Sequence, residues 1–259
     1  MKTKFIAVAL VVAAVLLCAG AAAVLSQESP ANRPNPAQAL GAKLQITVPD
    51  FDAGKRSMVD LLLMLAYRYK LPMDFEYITN DALRRPLRFR TGSRTVRGLI
   101  AALAALAPGY SADFSHGLVE IYSPEARLDS SNPFNMVVGE YRVHGVDTET
   151  ADNTLLCTLG QQLHPGSGCG GSTSGGQWGS TKISLEMHNA KVFEILNAIV
   201  AQNGRAVWTP IRSTTTSAER GRRYLTNFWD IYPLDPAFEK SAAERLKALF
   251  PPAPQAERH

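Results

Sequence analysis

The chain has 259 residues, of which 46% are hydrophobic and 19% are charged. This composition excludes a disordered or collagen-like polymer and provides enough apolar surface for one or two folded domains. The 27 Lys and Arg residues exceed the 23 Asp and Glu residues by four. So small an excess of positive charge does not indicate a nucleic-acid-binding protein.

The amino terminus has the organisation of an export signal. Lys2 and Lys4 precede an apolar run at residues 5–25, which ends in small residues that suit a signal peptidase. We therefore predict a signal peptide at 1–26 and a mature chain in the periplasm or cell envelope. The run, at about 20 residues, is also long enough to span a bilayer. An uncleaved signal anchor, as in a membrane-anchored signalling component, is the alternative.

Apolar spacing over residues 43–124 predicts a module of two strand–helix–strand units. The first has a strand at 44–48, a helix that begins after the N-cap Ser57 and a strand at 73–78. The second has a strand at 87–90, a helix from about Val96 and a hairpin at 110–122. Residues 27–42, rich in Pro, Asn, Ala and Gln, are predicted to be a linker.

A similar pattern returns at residues 133–212 and predicts a second, related module. Apolar positions 87, 89, 96, 99 and 103 match positions 183, 185, 192, 195 and 199 at a constant offset of 96. Its upstream half is predicted as a strand at 141–144 and a helix from Asp152 to Leu163, capped by Asp152 or Asn153. Gly/Ser-rich residues 166–180 are predicted to be an insertion.

Residues 213–259 are predicted to be a linker followed by a helix at the carboxyl end. Aromatic residues at 228–238 favour packing of this segment back on the second module, and a docking segment for a partner is the alternative.

Two cysteines remain after the signal, Cys157 and Cys169, separated by 12 residues. In an exported protein this pair favours a disulfide, and two free thiols are an alternative. The sharper alternative adds His164 as a third ligand for zinc, in a periplasmic metal-binding protein or enzyme. No compact Cys-x-x-Cys pair supports that alternative.

The densest charge in the sequence is a group of arginines near the predicted third strand. Alternation there sends Leu87 and Phe89 inward and places Arg88 and Arg90 on the outer face. We predict a cationic interaction surface for an acidic partner, and a solvated strand edge is the alternative. The surface comprises Arg84, Arg85, Arg88, Arg90, Arg94 and Arg97.

Catalytic motifs are absent from the sequence. Its five histidines have no metalloprotease spacing, and it contains neither a Gly-x-Ser-x-Gly elbow nor a phosphate-binding loop that ends in Gly-Lys-Ser/Thr. We expect no enzymatic activity, no catalytic residues, no metal and no cofactor.

The first module resembles a known family. Residues 61–66, 71–75, 86–89, 96–103, 108–110 and 119–121 read LLLMLA, LPMDF, PLRF, VRGLIAAL, PGY and VEI. This pattern is similar to the short N-terminal (STN) domain of secretins and TonB-dependent receptors, and residues 183–208 are similar to half of it. The resemblance implies an α+β fold of two small STN-like βαβ-βαβ modules, with helices packed on short mixed sheets.

The same resemblance implies a function at the bacterial envelope. STN domains are used in protein contacts, so we expect a stand-alone interaction or assembly module that binds other envelope proteins by edge-strand or surface contact. We expect no nucleic-acid partner, and contact with the membrane only through an uncleaved amino-terminal segment.

Overall fold

A computed structural model describes residues 35–76, 86–130, 132–166, 169, 181–210 and 229–234. Several predictions fall outside these residues: the signal segment 1–26, Arg84, Arg85, most of the insertion and the helix near the carboxyl end. No helix in the described ranges is long and apolar enough to cross a membrane.

The described residues form an α+β fold, as predicted. The helices are α1 (Pro36–Leu44), α2 (Met58–Tyr69), α3 (Val96–Ala104), α4 (Pro124–Leu128), α5 (Thr148–Leu163) and α6 (Val192–Asn203), with a 3-10 turn at Pro133–Asn135. The strands are β1 (Thr47–Val48), β2 (Phe51–Asp52), β3 (Met73–Phe75), β4 (Arg90–Thr91), β5 (Arg94–Thr95), β6 (Ser111–Asp113), β7 (Val119–Tyr122), β8 (Val137–Val146), β9 (Ile183–Lys191), β10 (Ala206–Pro210) and β11 (Trp229–Pro233).

Local capping chemistry sets where the helices begin. The Ser57 hydroxyl accepts a hydrogen bond from the Asp60 amide and begins α2, as predicted. Helix α5 begins one turn earlier than predicted, because the Asp147 carboxylate accepts a hydrogen bond of 2.7 Å from the Thr150 amide. The N-cap assignment to Asp152 or Asn153 was therefore wrong.

A five-stranded sheet in the order β11-β10-β3-β7-β6 lies at the centre of the fold. Strands β10, β3 and β7 are parallel, and antiparallel strands β11 and β6 form the two edges. Strand β10 comes from the predicted second module, yet it pairs with β3 of the first, with Val207 opposite Met73 and Trp208 opposite Asp74. The two predicted modules therefore share one sheet.

Each face of this sheet is covered by a hydrophobic core. The core on one face includes α2, α3 and the β3 residues Met73 and Phe75. The core on the other face includes residues of α5 and α6 together with Trp208 and Ile231. Successive strand residues point to opposite faces, so every second residue of β3 and β7 lies under the α5–α6 layer.

Two segments differ from their predicted state. Helix α1 occupies part of the predicted linker 27–42, because Leu40 and Leu44 bury their side chains in the first core. Strand β11 lies within residues 213–259, which are predicted to be a linker and a helix, and it pairs with β10. There Trp229 is buried and donates a hydrogen bond of 2.6 Å to Asp152, so this part of the aromatic segment packs back on the second module, as favoured.

Cys157 of α5 and Cys169 form the predicted disulfide, with their Cα atoms 4.8 Å apart. The disulfide is compatible with an oxidising, exported compartment. It also argues against zinc ligation by Cys157, His164 and Cys169, because the thiolates that zinc requires are consumed in the S–S bond.

We predict that replacing both cysteines, Cys157→Ala with Cys169→Ala, lowers the free energy of unfolding by about 2–3 kcal/mol. The physical reason is the larger conformational freedom of the unfolded chain once the short loop is opened. Urea denaturation measures the change, and a reductant must destabilise the wild type by a similar amount while leaving the double variant unaltered. A reductant-sensitive double variant would contradict this origin.

Candidate functional site

Three carboxylates lie side by side on one face of the central sheet. Asp74 of β3 stands opposite Glu120 of β7 in the parallel register. Glu76 follows Asp74 by two residues and thus shares its face, and the Glu76 amide donates a hydrogen bond of 2.8 Å to the Ile121 carbonyl. The pairing of β3 with β7 therefore places all three acidic side chains together.

These carboxylates are buried under the second layer of the fold. Asp74 is 0% exposed, Glu120 1% and Glu76 3%. Oδ1 of Asp74 accepts a hydrogen bond of 2.8 Å from the Ile121 amide, whereas its Oδ2 has no hydrogen-bond partner among the described residues. A buried carboxylate oxygen without a hydrogen-bond donor destabilises the fold unless it binds a proton or a cation.

The counter-charge is Arg127, which α4 carries to the cluster. Its Nε lies 3.0 Å from both carboxylate oxygens of Glu76, and its Nη2 donates to Glu120 Oε2 at 2.5 Å and also contacts Glu76. The same Nη2 is 3.8 Å from Oδ2 of Asp74. The guanidinium also lies over the Tyr122 ring at 3.7 Å and the Phe193 ring at 4.5 Å.

Local hydrogen bonds fix the position of α4. The Ser123 hydroxyl caps its first turn by accepting from the Ala126 amide. Two asparagine side chains, Asn132 and Asn135, both donate to the Ala126 carbonyl, at 3.0 and 2.9 Å. Arg127 is therefore held over the carboxylates by short-range contacts on either side of it.

Burial changes the proton affinity of the cluster. It raises the pKa of Asp74 well above its usual value, and the negative charges of Glu76 and Glu120 add to this rise. Burial likewise raises the pKa of Glu76, although Arg127 opposes that change. For Arg127, burial lowers the pKa, but hydrogen bonds and charge from Glu76 and Glu120 outweigh it, and the net direction is upward. The guanidinium therefore stays charged while the carboxyl groups compete for protons.

His116 stands at the solvent-facing rim of the cluster, in the β6–β7 turn. Its Nδ1 contacts Glu120 Oε1, and its side chain is 64% exposed. Asp113 lies opposite Glu120 across the hairpin, and its carboxylate accepts the amide hydrogens of Phe114 and Ser115. Glu120 thus belongs to two groups of possible metal ligands. One group contains Asp74 and Glu76, and the other contains Asp113 and His116. The clustered oxygen and nitrogen atoms of these side chains can bind protons or cations.

The predicted cationic surface is partly described. Arg88, Arg90, Arg94 and Arg97 are all exposed, and Leu87 and Phe89 pack against the first core, as their alternation predicts. Arg90 pairs with Asp52 at 2.7 Å, and Arg97 lies over the Phe114 ring. The strand itself is shorter than predicted and covers Arg90–Thr91 alone. A role for this surface in binding stays a prediction.

Sequence reasoning missed the carboxylate cluster, although a signal was present. Asp74 lies between Met73 and Phe75, and Glu120 between Val119 and Ile121. Such alternation is typical of a strand with one face in water. The polar face is instead covered by residues more than seventy positions further along the chain, among them Phe193 and Trp208.

We predict that Asp74→Asn stabilises the protein at alkaline pH in the presence of EDTA. An unfolded Asp74 loses its proton above about pH 4, whereas the folded one retains it to a higher pH because its pKa is raised. The free energy of unfolding of the wild type therefore falls as pH rises through this window. Asparagine keeps the acceptor for the Ile121 amide and removes the ionisation.

Denaturation at a series of pH values measures this difference. We expect the variant to exceed the wild type by at least about 1 kcal/mol near pH 8, with the gap closing towards about pH 4. Glu125→Gln, which changes an exposed carboxylate of α4, is the control and should follow the wild type. Parallel curves for Asp74→Asn and wild type would contradict the raised pKa.

We predict that Arg127→Met destabilises the protein by about 3–5 kcal/mol near pH 8, because buried carboxylates lose their counter-charge. The loss should shrink at lower pH, where protons neutralise the same groups. The matched control is Arg142→Met, which breaks an exposed pair with Glu186 at 2.6 Å and should cost less than about 1 kcal/mol. Equal losses in the two variants would contradict the role of Arg127.

No protein-family model, curated protein or solved structure matches this chain. The likeness to STN domains therefore rests on the apolar pattern of the sequence and stays a prediction. Any function assigned to the chain has to be argued from its own residues and their geometry.

Proposed function

We propose that this protein is a non-enzymatic component of the bacterial cell envelope that binds other envelope proteins through a strand edge. The proposal rests on the predicted export signal, on the STN-like pattern of the first module and on a disulfide that suits an oxidising compartment. The observation that carries it is the ribbon formed by β8 and β9.

The ribbon is the longest strand pair in the described part of the chain. Strands β8 and β9 have ten and nine residues and pair with each other alone among the described strands. Its inner face buries Val138, Tyr141 and Ile183 against the second core. At about 3.4 Å per residue, β8 extends over roughly 30 Å.

The outer face of the ribbon carries charges of both signs. Arg142 bonds Glu186 across the two strands, and side chains on this face are more than half exposed. These residues keep the ribbon soluble without blocking its edges. The exposed polar residues on this face include Glu140, Arg142, Glu186 and His188.

Among the described residues, a side chain hydrogen-bonds the backbone at one end of each edge of the ribbon. At β9, the Gln202 amide bonds both the amide and the carbonyl of Ser184, at 3.0 and 2.8 Å, and so takes the place of a neighbouring strand. At β8, a comparable side-chain bond reaches the carbonyl of Val137, at the very start of the strand. The centre of β8, which pairs with β9 alone among the described strands, is the edge on which we infer that an extended segment of a partner adds a strand.

The cationic surface is a second place of contact under this proposal. Arg88 and Arg94 are exposed beside the first core, and Arg94 lies on the short strand β5. An acidic partner would be attracted to this surface from a distance, because clustered like charges steer association.

Site-specific photo-crosslinking in the producing cell tests the proposal. A photoreactive residue is placed at Arg142 on β8, at Arg90 on the cationic surface, and at Glu125 on α4 as the exposed control. We expect a crosslinked envelope protein of discrete mass at Arg142 and none at Glu125. The binding is then repeated with a purified, extended peptide of that partner.

The three positions separate the outcomes. A crosslink at Arg90 without one at Arg142 would support surface contact and overturn strand addition to β8. Equal yields at all three positions, or none at Arg142 and Arg90, would contradict the proposed function.

A further inference from the structure

The buried oxygen Oδ2 of Asp74 points into the carboxylate cluster. It lies 3.8 Å from Nη2 of Arg127, the same nitrogen that bonds Glu76 and Glu120. No described residue gives Oδ2 a hydrogen bond, and Asp74 is completely buried. One oxygen each from Asp74, Glu76 and Glu120 lie within 4.8 Å of one another.

The charges of the cluster do not balance by themselves. Three carboxylates face one guanidinium, so two negative charges remain when these four groups are ionised and His116 at the rim is neutral. Uncompensated charge at this depth is strongly unfavourable. Either two protons or one divalent cation removes the imbalance.

We propose that Asp74, Glu76 and Glu120 bind one divalent cation of the hard, oxygen-preferring class, such as Ca²⁺, Mg²⁺ or Mn²⁺. Such ions take carboxylate oxygens at about 2.0–2.6 Å, so two ligands on opposite sides of an ion are about 4–5 Å apart. The spacing of the three oxygens matches this. Arg127 stays beside the ion and holds Glu76 and Glu120 in orientation, as outer-shell partners do.

Protons and the cation compete for the same oxygens. The charged or titratable groups beside the three carboxylates are Arg127 from α4, His116 from the β6–β7 turn and Asp113 from β6. Phe193 of α6 and Trp208 of β10 contribute uncharged rings. Carboxylates bind a cation in their deprotonated form, so protons displace the cation in acid. Cation affinity therefore falls as pH falls.

The test measures cation binding to the folded, full-length mature protein after treatment with EDTA. CaCl₂, MgCl₂, MnCl₂ and ZnCl₂ are added separately, and both thermal unfolding and bound metal per chain are measured. At about a hundredfold excess over its Kd, the preferred hard cation should raise Tm by about 5–10 °C. The affinity should fall at least about tenfold between pH 7.5 and pH 5.5.

Two variants locate the site. Asp74→Asn keeps its acceptor for the Ile121 amide and should bind the cation at least about tenfold more weakly, with Glu76→Gln as a second variant of the same set. Asp52→Asn removes a partly exposed carboxylate outside the cluster that pairs with Arg90, and this variant should bind the cation as the wild type does.

Other results overturn the proposal. These are no stoichiometric binding of Ca²⁺, Mg²⁺ or Mn²⁺ by the wild type, or equal affinity in Asp74→Asn. Binding of zinc alone that His116→Ala abolishes and Asp74→Asn does not would also overturn it, and would assign the ion to Asp113, His116 and Glu120 instead.

Discussion

The parallel pairing of β3 with β10 is the contact on which the rest of the structure depends. It joins strands 134 positions apart, with Asp74 opposite Trp208, and it brings the α5–α6 layer over a sheet face that would otherwise meet water. A sheet covered on both faces must satisfy every polar side chain inside the protein. The burial of Asp74, Glu76 and Glu120 is a direct consequence of this pairing.

Arg127 lowers the free-energy cost of burying these carboxylates. Its planar guanidinium bonds Glu76 through two nitrogens and reaches Glu120 as well, which a lysine cannot do. The arrangement is a poor way to gain stability, because a well-packed apolar set of the same volume is often at least as stable. Stability alone therefore does not account for the cluster, and this is consistent with our proposal that it binds a cation.

The sequence predicts the parts of this fold that local chemistry determines. Helices α3 and α6 begin at Val96 and Val192, which are separated by the predicted 96 residues. The Ser57 cap, the β6–β7 hairpin and the Cys157–Cys169 disulfide are also confirmed. The sequence does not predict which part of the chain packs against each face of the central sheet. The alternation of Met73, Asp74 and Phe75 predicts a strand with one polar face, but it does not show whether water or another layer of the protein covers that face. The buried cluster became evident only from the pairing of β10 with β3.

The two regions that carry the proposals meet at the start of α6. Strand β9 ends at Lys191 and α6 begins at Val192, whose amide bonds the Met136 carbonyl just before β8. The next residue, Phe193, packs on the Arg127 guanidinium at 4.5 Å. Adjacent residues of α6 therefore contact both the residue before β8, the strand on which we propose that a partner binds, and the arginine of the carboxylate cluster.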